Sequence, residues 1–138
     1  MSLFTGKAVR TIERYLTALN SHDLSALNEL IDDDACYVDS CGYAISGRDL
    51  ICDVIAQFFE REPNFKLHAT EISEFRGDVL IRGSVDADDA GLREDHLWRA
   101  RTDMRKITYW QSFADRNALS VVRALAPAEA VTKIPLDA

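Results

Sequence analysis

The sequence predicts a single α+β domain in which three N-terminal helices cover a curved antiparallel sheet and enclose a cone-like pocket. Its 138 residues are a length typical of one domain. Apolar residues follow a helical spacing in the first half, whereas after Pro63 their period changes to two, as in half-buried strands. Helices that precede a run of strands are expected to gather on one side of an antiparallel sheet.

The three helices are predicted from apolar spacing and from residues suited to their ends. Apolar residues recur at intervals of three and four between Val9 and Leu19, which predicts an amphipathic first helix. Asp23 is suited to cap a second, short helix. Ser46 begins a third helix, and Pro63 is expected to end it because proline cannot continue the hydrogen-bonded ladder.

Alternating apolar and polar residues predict the sheet. A short strand at Ala35 to Asp39 precedes the third helix, and four longer strands form a meander after it. The longer strands are Lys66 to Phe75, Asp78 to Asp86, Leu92 to Arg101 and Ile107 to Ala114. The domain is expected to cover residues 1–123, and residues 124–138, rich in alanine and proline, to form a loosely ordered C-terminal tail.

Composition and charge argue against several classes of function. The formal net charge of -7 disfavours a nucleic-acid-binding protein, because phosphate binding requires a basic surface. No segment approaches the roughly 20 apolar residues that a membrane helix needs. The N-terminus lacks the charged start and apolar run of a signal peptide. We therefore expect a cytoplasmic protein without nucleic-acid or membrane partners.

No metal or cofactor is expected from the sequence. Cys36, Cys41 and Cys52 have neither metal-ligand nor redox-motif spacing, and the histidines have no ligand partners at metal spacing. The sequence also has no Gly-rich phosphate loop. Reduced thiols are the expected state of the cysteines, with a Cys36–Cys41 disulfide as the alternative.

Tyr15 and Asp39 are candidates for chemistry because of where they lie. Tyr15 is on or near the core face of the first helix, and Asp39 ends the short strand just before a turn. Each position also has a structural interpretation. A tyrosine on an apolar face is commonly a core residue, and an aspartate before a turn commonly binds backbone amides.

Asp95 lies in the middle of a predicted strand, where aspartate is disfavoured. Strand alternation puts Arg93, Asp95 and Leu97 on one face, which we expect to line the pocket. His96 and Trp98 fall on the opposite, convex face, which we expect to pair with a second subunit. The alternative for Asp95 is an Arg–Asp ion pair across a solvated sheet.

Four motifs occur in a recognisable order along the chain. They are Tyr15 to Leu24, Asp33 to Asp39, the helix start Ser46-Gly47-Arg48, and Lys106 to Trp110. Together they resemble the nuclear transport factor 2-like superfamily, above all its SnoaL-like polyketide cyclases and ketosteroid isomerases. The resemblance implies a cystatin-like fold around a pocket. It does not select an activity, because this fold hosts isomerases, dehydratases, cyclases, hydrolases and binding modules.

The resemblance implies roles for three residues. In the isomerases a first-helix tyrosine and a protonated strand aspartic acid form an oxyanion hole, while a second aspartate moves the proton. Tyr15, Asp95 and Asp39 match these three groups in that order. The isomerases support their tyrosine with further tyrosines, and the matching positions here are Ile31 and Ile55.

Arg93 is a second departure from the isomerase pattern. A guanidinium on the face of Asp95 favours the ionised carboxylate, which cannot donate a hydrogen bond to an enolate. The Arg93-Glu94-Asp95 spacing instead resembles limonene epoxide hydrolases, in which an Arg-x-Asp pair works with an aspartate on the next strand. The matching position on that strand is Ser112.

The expected function is acid–base chemistry, namely isomerisation, cyclisation or dehydration, on a small apolar carbonyl compound. Tyr15, Asp39 and Asp95 are the predicted catalytic residues. The predicted substrate contacts are Arg93, Leu97, Phe58, Trp110 and Phe113. The alternative is a non-catalytic ligand-binding or accessory domain of the same fold, and in both cases a homodimer is expected.

Overall fold

The computed structural model describes residues 6–93, 96–113 and 120–134 of the chain. The helices are α1 (Lys7–Asn20), α2 (Leu24–Leu30), α3 (Arg48–Arg61) and α4 (Val121–Leu125). The strands are β1 (Ile31–Val38), β2 (Tyr43–Ser46), β3 (Lys66–Phe75), β4 (Asp78–Asp86), β5 (His96–Asp103), β6 (Lys106–Phe113) and β7 (Thr132–Lys133). The predicted α+β class, with helices over one curved sheet, is confirmed.

The helices cover one face of the sheet, called here the inner face. Ile12 and Tyr15 of α1 and Ile51 of α3 are at most 1% exposed and belong to the core that forms under them. Burial of this apolar stripe, rather than helix propensity, is the main source of stability for such short helices. In the part of the chain that the structure describes, no helix has the length and apolar character needed to cross a membrane.

The seven strands follow the order β3-β4-β5-β6-β1-β2-β7. The sheet differs from the purely antiparallel prediction in one pair, because β1 runs parallel to β6. This pairing sets Tyr37 of β1 opposite Trp110 of β6, and Trp110 in turn lies opposite Ala100 of β5. These three residues therefore share the inner face, close to the covering helices.

The prediction of which face of β5 lines the pocket is wrong, because the face of Trp98 and Ala100 is the buried one. Trp98 and Ala100 are 4% and 0% exposed and lie in the core on the inner face. Arg99 faces the other way, and its Nε lies 3.1 Å from a carboxylate oxygen of Asp78. The physical reason is that this register buries a large indole and leaves the guanidinium in contact with solvent and an acid. Leu97 alternates with Trp98 and so belongs to the outer face.

The C-terminal segment packs onto the domain, in contrast to the loose tail expected for residues 124–138. Val122 and Leu125 of α4 are 5% and 8% exposed and join the core. After α4, β7 pairs with β2, and the amide of Ile134 donates to the carbonyl of Gly42 at 2.7 Å. The sequence gives no clear helical pattern for α4 because five residues are too few to show the spacing of an apolar face. Residues 135–138 lie outside the described part of the chain.

Candidate functional site

An apolar cavity of about 160 Å³ lies between the inner face of the sheet and helices α1, α3 and α4. Its wall is formed mainly by Ile51, Val54, Ile55, Phe58, Trp98 and Trp110. Two predicted contacts, Phe58 and Trp110, are therefore at the cavity. For comparison, an apolar protein cavity of about 150 Å³ holds one benzene molecule. The cavity therefore has room for roughly one ring.

Two tyrosine hydroxyl groups meet at the wall of this cavity. Tyr15 of α1 is 1% exposed, and its hydroxyl oxygen lies 2.7 Å from that of Tyr37, which donates to it. The pair has two hydroxyl hydrogens, and the hydrogen bond from Tyr37 to Tyr15 uses one of them. Among the described residues nothing accepts the other, so the pair has one donor available to a cavity occupant.

Burial keeps both hydroxyl groups neutral. Loss of solvation raises the pKa of Tyr15 and Tyr37 above the ordinary tyrosine value of about 10, and the neighbouring hydroxyl raises that of Tyr37 further. A neutral hydroxyl donates a hydrogen bond, whereas a phenolate only accepts. At physiological pH the pair is therefore a hydrogen-bond donor.

Tyr37 is a site residue that the sequence analysis missed. The resemblance places the additional tyrosines at the positions of Ile31 and Ile55, whereas the hydroxyl partner of Tyr15 is Tyr37, six residues after Ile31 on β1. Alternation along β1 places Tyr37 on the same face as Ala35, which the structure shows fully buried in the core.

Aromatic rings form a continuous wall along the inner face. The ring of Trp110 lies 4.9 Å from Tyr15 and 6.4 Å from Tyr37, measured between centroids. Trp98 lies 6.3 Å beyond Trp110, and His96 stacks on Trp98 at 5.2 Å with an interplanar angle of 15°. The tyrosine pair is thus at one end of the wall and the imidazole at the other.

His96 lines the cavity, in contrast to the predicted subunit interface. Its Nε2 lies 2.9 Å from the carbonyl oxygen of Leu92, and its Nδ1 is buried without a hydrogen-bond partner in the described ranges. Trp98 and Ala100, apolar and in phase with His96, are the sequence signal that identifies the pocket-facing side of β5.

The carboxylate of Asp39 lies at the cavity edge and accepts four hydrogen bonds. Its Oδ1 accepts from the amides of Cys41 and Tyr43 at 2.9 and 3.0 Å, within the turn between β1 and β2. Its Oδ2 accepts from the Ser120 hydroxyl at 2.5 Å and from the Val122 amide at 3.2 Å. A carboxylate has about four lone-pair sites, and the donors among the described residues match that number.

Asp39 thereby fixes α4 over the cavity. Ser120 is the N-cap of α4 and also accepts from the amide of Arg123 at 3.2 Å. Val121 and Val122, which follow the cap, line the cavity. The carboxylate therefore connects the β1–β2 turn to one wall of the site.

Three predicted substrate contacts, Arg93, Leu97 and Phe113, are not among the described residues that line the cavity. Arg93 is exposed and donates to the carbonyl of Asp88 at 3.3 Å. Leu97 and Phe113 pair across β5 and β6 on the outer face, where Phe113 is 38% exposed. Leu97 and Phe113 lie there because the strand register buries Trp98 of β5 and Trp110 of β6 on the inner face. Asp95 lies outside the described residues.

Within residues 6–93, 96–113 and 120–134, no group of three or more His, Cys, Asp or Glu side chains is arranged to hold a metal ion. The polar groups at the cavity are the tyrosine pair, the imidazole, Asp39 and the serines Ser40 and Ser112.

A curved sheet whose covering helices close on an apolar cavity defines the nuclear transport factor 2-like class of folds. Within this class the chain belongs to the SnoaL-like domain family, whose model matches residues 12–114. The family resemblance seen in the sequence is thereby confirmed. No curated protein sequence matches the chain.

Solved structures support the fold. An epoxide hydrolase of M. tuberculosis, described as LEH-like, is 21% identical, with 86% of this chain and 89% of that chain covered and a TM-score of 0.69. A protein of Catenulispora acidiphila with a ketosteroid isomerase-like fold, in complex with trimethylamine, is 22% identical, with 88% and 97% covered and a TM-score of 0.64. An NTF2-like protein of Cytophaga hutchinsonii is 14% identical, with 83% and 95% covered and a TM-score of 0.67.

The raised pKa values of Tyr15 and Tyr37 predict how stability depends on alkaline pH. The stability linked to them is complete below the unfolded pKa of about 10 and is lost as pH rises through the folded pKa. We expect urea unfolding to show a falling free energy above about pH 10. Tyrosinate absorbance should show that these two tyrosines ionise only on unfolding. Ionisation of all four tyrosines together near pH 10 in the native protein would contradict this.

Replacing Asp39 by asparagine tests its role as the anchor of α4. Either orientation of the amide turns its NH₂ group toward two of the present donors, and at least one of these is a backbone amide that then loses its hydrogen bond to residue 39. We expect Asp39→Asn to lower the free energy of unfolding by about 1–3 kcal/mol in urea titrations. Asp53→Asn, the same change at an exposed position of α3, is the matched control. Equal stability of Asp39→Asn and the parent protein would show that the network does not anchor α4.

Proposed function

We propose that this protein binds a largely apolar, single-ring carbonyl compound in the cavity and converts it by acid–base chemistry. The observation that carries the proposal is the neutral Tyr15–Tyr37 pair, which offers one unused hydroxyl hydrogen at the wall of an apolar cavity. Such a donor is matched to an oxygen atom on an otherwise apolar ligand. Isomerisation, cyclisation and dehydration all pass through the enol or enolate that this arrangement favours.

The proposed step is polarisation of the carbonyl group. The free hydroxyl hydrogen of the pair donates to the carbonyl oxygen, while a base removes a proton from the adjacent carbon. Negative charge then develops on the oxygen, and a preorganised donor in a site of low polarity stabilises it. Because Tyr37 donates to Tyr15, each hydroxyl bond polarises the next and strengthens the donor.

The identity of the base is a separate part of the proposal. Asp39 was predicted for this role, and it can take a proton only if one of its four donors moves away. The four donors instead favour a role in holding α4. Asp95, the predicted second donor, lies outside the described residues, and its role stays a prediction.

Binding without conversion is the second candidate function, favoured by the fully engaged carboxylate of Asp39. Among proteins of similar fold, one is an epoxide hydrolase and another was crystallised in complex with trimethylamine. Both candidates use the same cavity and the same hydroxyl pair. They differ in whether a proton on the bound compound is exchanged.

Exchange of α-protons in heavy water separates these functions. Cyclohexanone is one ring with one carbonyl group, and NMR reports the replacement of its α-protons by deuterium. We expect the protein to accelerate this exchange and Tyr15→Phe or Tyr37→Phe to reduce the acceleration at least tenfold, since loss of one oxyanion donor costs about 10²–10³ in rate. Tyr109→Phe removes a hydroxyl on the outer face and is the control.

Two outcomes would count against separate parts of the proposal. Binding of cyclohexanone without accelerated exchange would favour the binding function. Acceleration that is unchanged in both Tyr15→Phe and Tyr37→Phe would remove the tyrosine pair from the proposal.

We also propose that the chain forms a homodimer in the cytoplasm, through the outer face of the sheet rather than through His96 and Trp98. Leu97 is only partly buried and Phe113 is 38% exposed on that face. A second copy is the proposed partner because an isologous pair of sheets would cover the same apolar residues on both chains.

Sedimentation at micromolar concentration tests the dimer. We expect about twice the chain mass of 15.5 kDa, and a monomer for Phe113→Asp because a charge is introduced into the proposed contact. Phe75→Asp is the control, since Phe75 is 65% exposed at a hairpin end. Circular dichroism verifies that each variant is folded. A parent protein that sediments as a monomer would contradict the proposal.

A further inference from the structure

Only one of the two ring nitrogens of His96 has a hydrogen-bond partner among the described residues. Nε2 lies 2.9 Å from the carbonyl oxygen of Leu92. A carbonyl oxygen only accepts, so Nε2 must be the nitrogen that carries the hydrogen. In the neutral ring, Nδ1 then has a lone pair that is able to accept a hydrogen bond.

The Nδ1 atom of His96 is buried, and no residue of the described ranges bonds to it. The Nε atoms of Arg48 and Arg99 are also buried without a hydrogen-bond partner, but each lies within 4 Å of an aspartate oxygen. The imidazole has no such neighbouring charge among the described ion pairs. Since His96 lines the cavity, the cavity is where a partner for Nδ1 can be supplied.

Stacking holds this acceptor in place. The ring of His96 lies nearly parallel to that of Trp98, and the Leu92 carbonyl fixes its rotation. The acceptor is therefore oriented before any ligand binds, which lowers the entropic cost of recognition. The cavity thus presents a donor at the tyrosine end of the aromatic wall and an acceptor at the imidazole end.

We propose that Nδ1 of His96 accepts a hydrogen bond from a hydroxyl group of the ligand, so that the natural ligand is a single-ring hydroxy-carbonyl compound. The proposal rests on the proposed function, in which the tyrosine pair binds the carbonyl oxygen. A ligand that carries both groups offers a hydrogen-bond partner to each polar end of the cavity. A simple ketone leaves Nδ1 unpaired, and an unpaired buried acceptor is unfavourable.

His22 provides a matched control within the same chain. Its Nε2 also lies 2.9 Å from a backbone carbonyl, that of Phe65, and its ring stacks on Phe59 at 4.0 Å. It is not among the residues that line the cavity. A glutamine at either position retains a side-chain amide near the Nε2 site and removes the Nδ1 acceptor.

The test compares the affinities of cyclohexanone and of 2-, 3- and 4-hydroxycyclohexanone, measured by NMR titration. We expect at least one hydroxy isomer to bind the parent protein and His22→Gln about tenfold more tightly than cyclohexanone. In His96→Gln the preference should fall to about twofold or less, with the affinity for cyclohexanone retained as evidence of a folded cavity. No preference in the parent protein, or the same preference in His96→Gln, would overturn the assignment.

The ¹⁵N spectrum of the imidazole gives a second readout. We expect the tautomer with hydrogen on Nε2, and a change in the Nδ1 resonance when the preferred hydroxy isomer binds but not when cyclohexanone binds. A tautomer with hydrogen on Nδ1 would contradict the proposal.

The two proposals fail separately. Exchange of cyclohexanone that depends on Tyr15, without any preference for a hydroxy isomer, would overturn only the role of His96. A preference that depends on His96, without exchange, would overturn only the conversion and would leave the hydroxy-carbonyl ligand in place.

Discussion

The carboxylate of Asp39 is the interaction on which the site depends. It binds two amides of the β1–β2 turn and two donors at the start of α4, so it joins segments that are about 80 residues apart in sequence. Without this link, α4 and its cavity-lining residues Val121 and Val122 would lose their main polar anchor. A buried carboxylate is tolerated at this position because its charge is distributed over four donors.

The Tyr15–Tyr37 pair and His96 differ from Asp39 because each has a hydrogen-bonding position that no described residue uses. One hydroxyl hydrogen of the Tyr15–Tyr37 pair and one ring nitrogen of His96 are unused among the described residues. Burial makes such groups costly to leave unpaired and strong when they are paired. In an otherwise apolar cavity they select the chemistry of the occupant, whereas Asp39 maintains the shape of the site.

The sequence was sufficient for the fold class and for part of the site. Helical spacing, the change to a period of two and the order of the motifs predicted the α+β architecture. Of the predicted site residues, the structure places Tyr15, Asp39, Phe58 and Trp110 at the cavity, and their roles stay predictions. The faces of β5 were exchanged because both contain charged and apolar residues, so alternation alone does not show which face is buried. The bond from Tyr37 to Tyr15 and the Ser120 contact of Asp39 join residues 22 and 81 positions apart, and no local pattern reports such distances.

A crystal structure of the protein soaked with cyclohexanone tests the central claim most directly, since it shows where the oxygen of a bound carbonyl compound lies. The account predicts one ring in the cavity, with its oxygen about 2.7 Å from the hydroxyl oxygen of Tyr15 or Tyr37 and with α4 still bound to Asp39. A ring whose oxygen points away from both tyrosines, or a cavity that stays closed to the ketone, would contradict it.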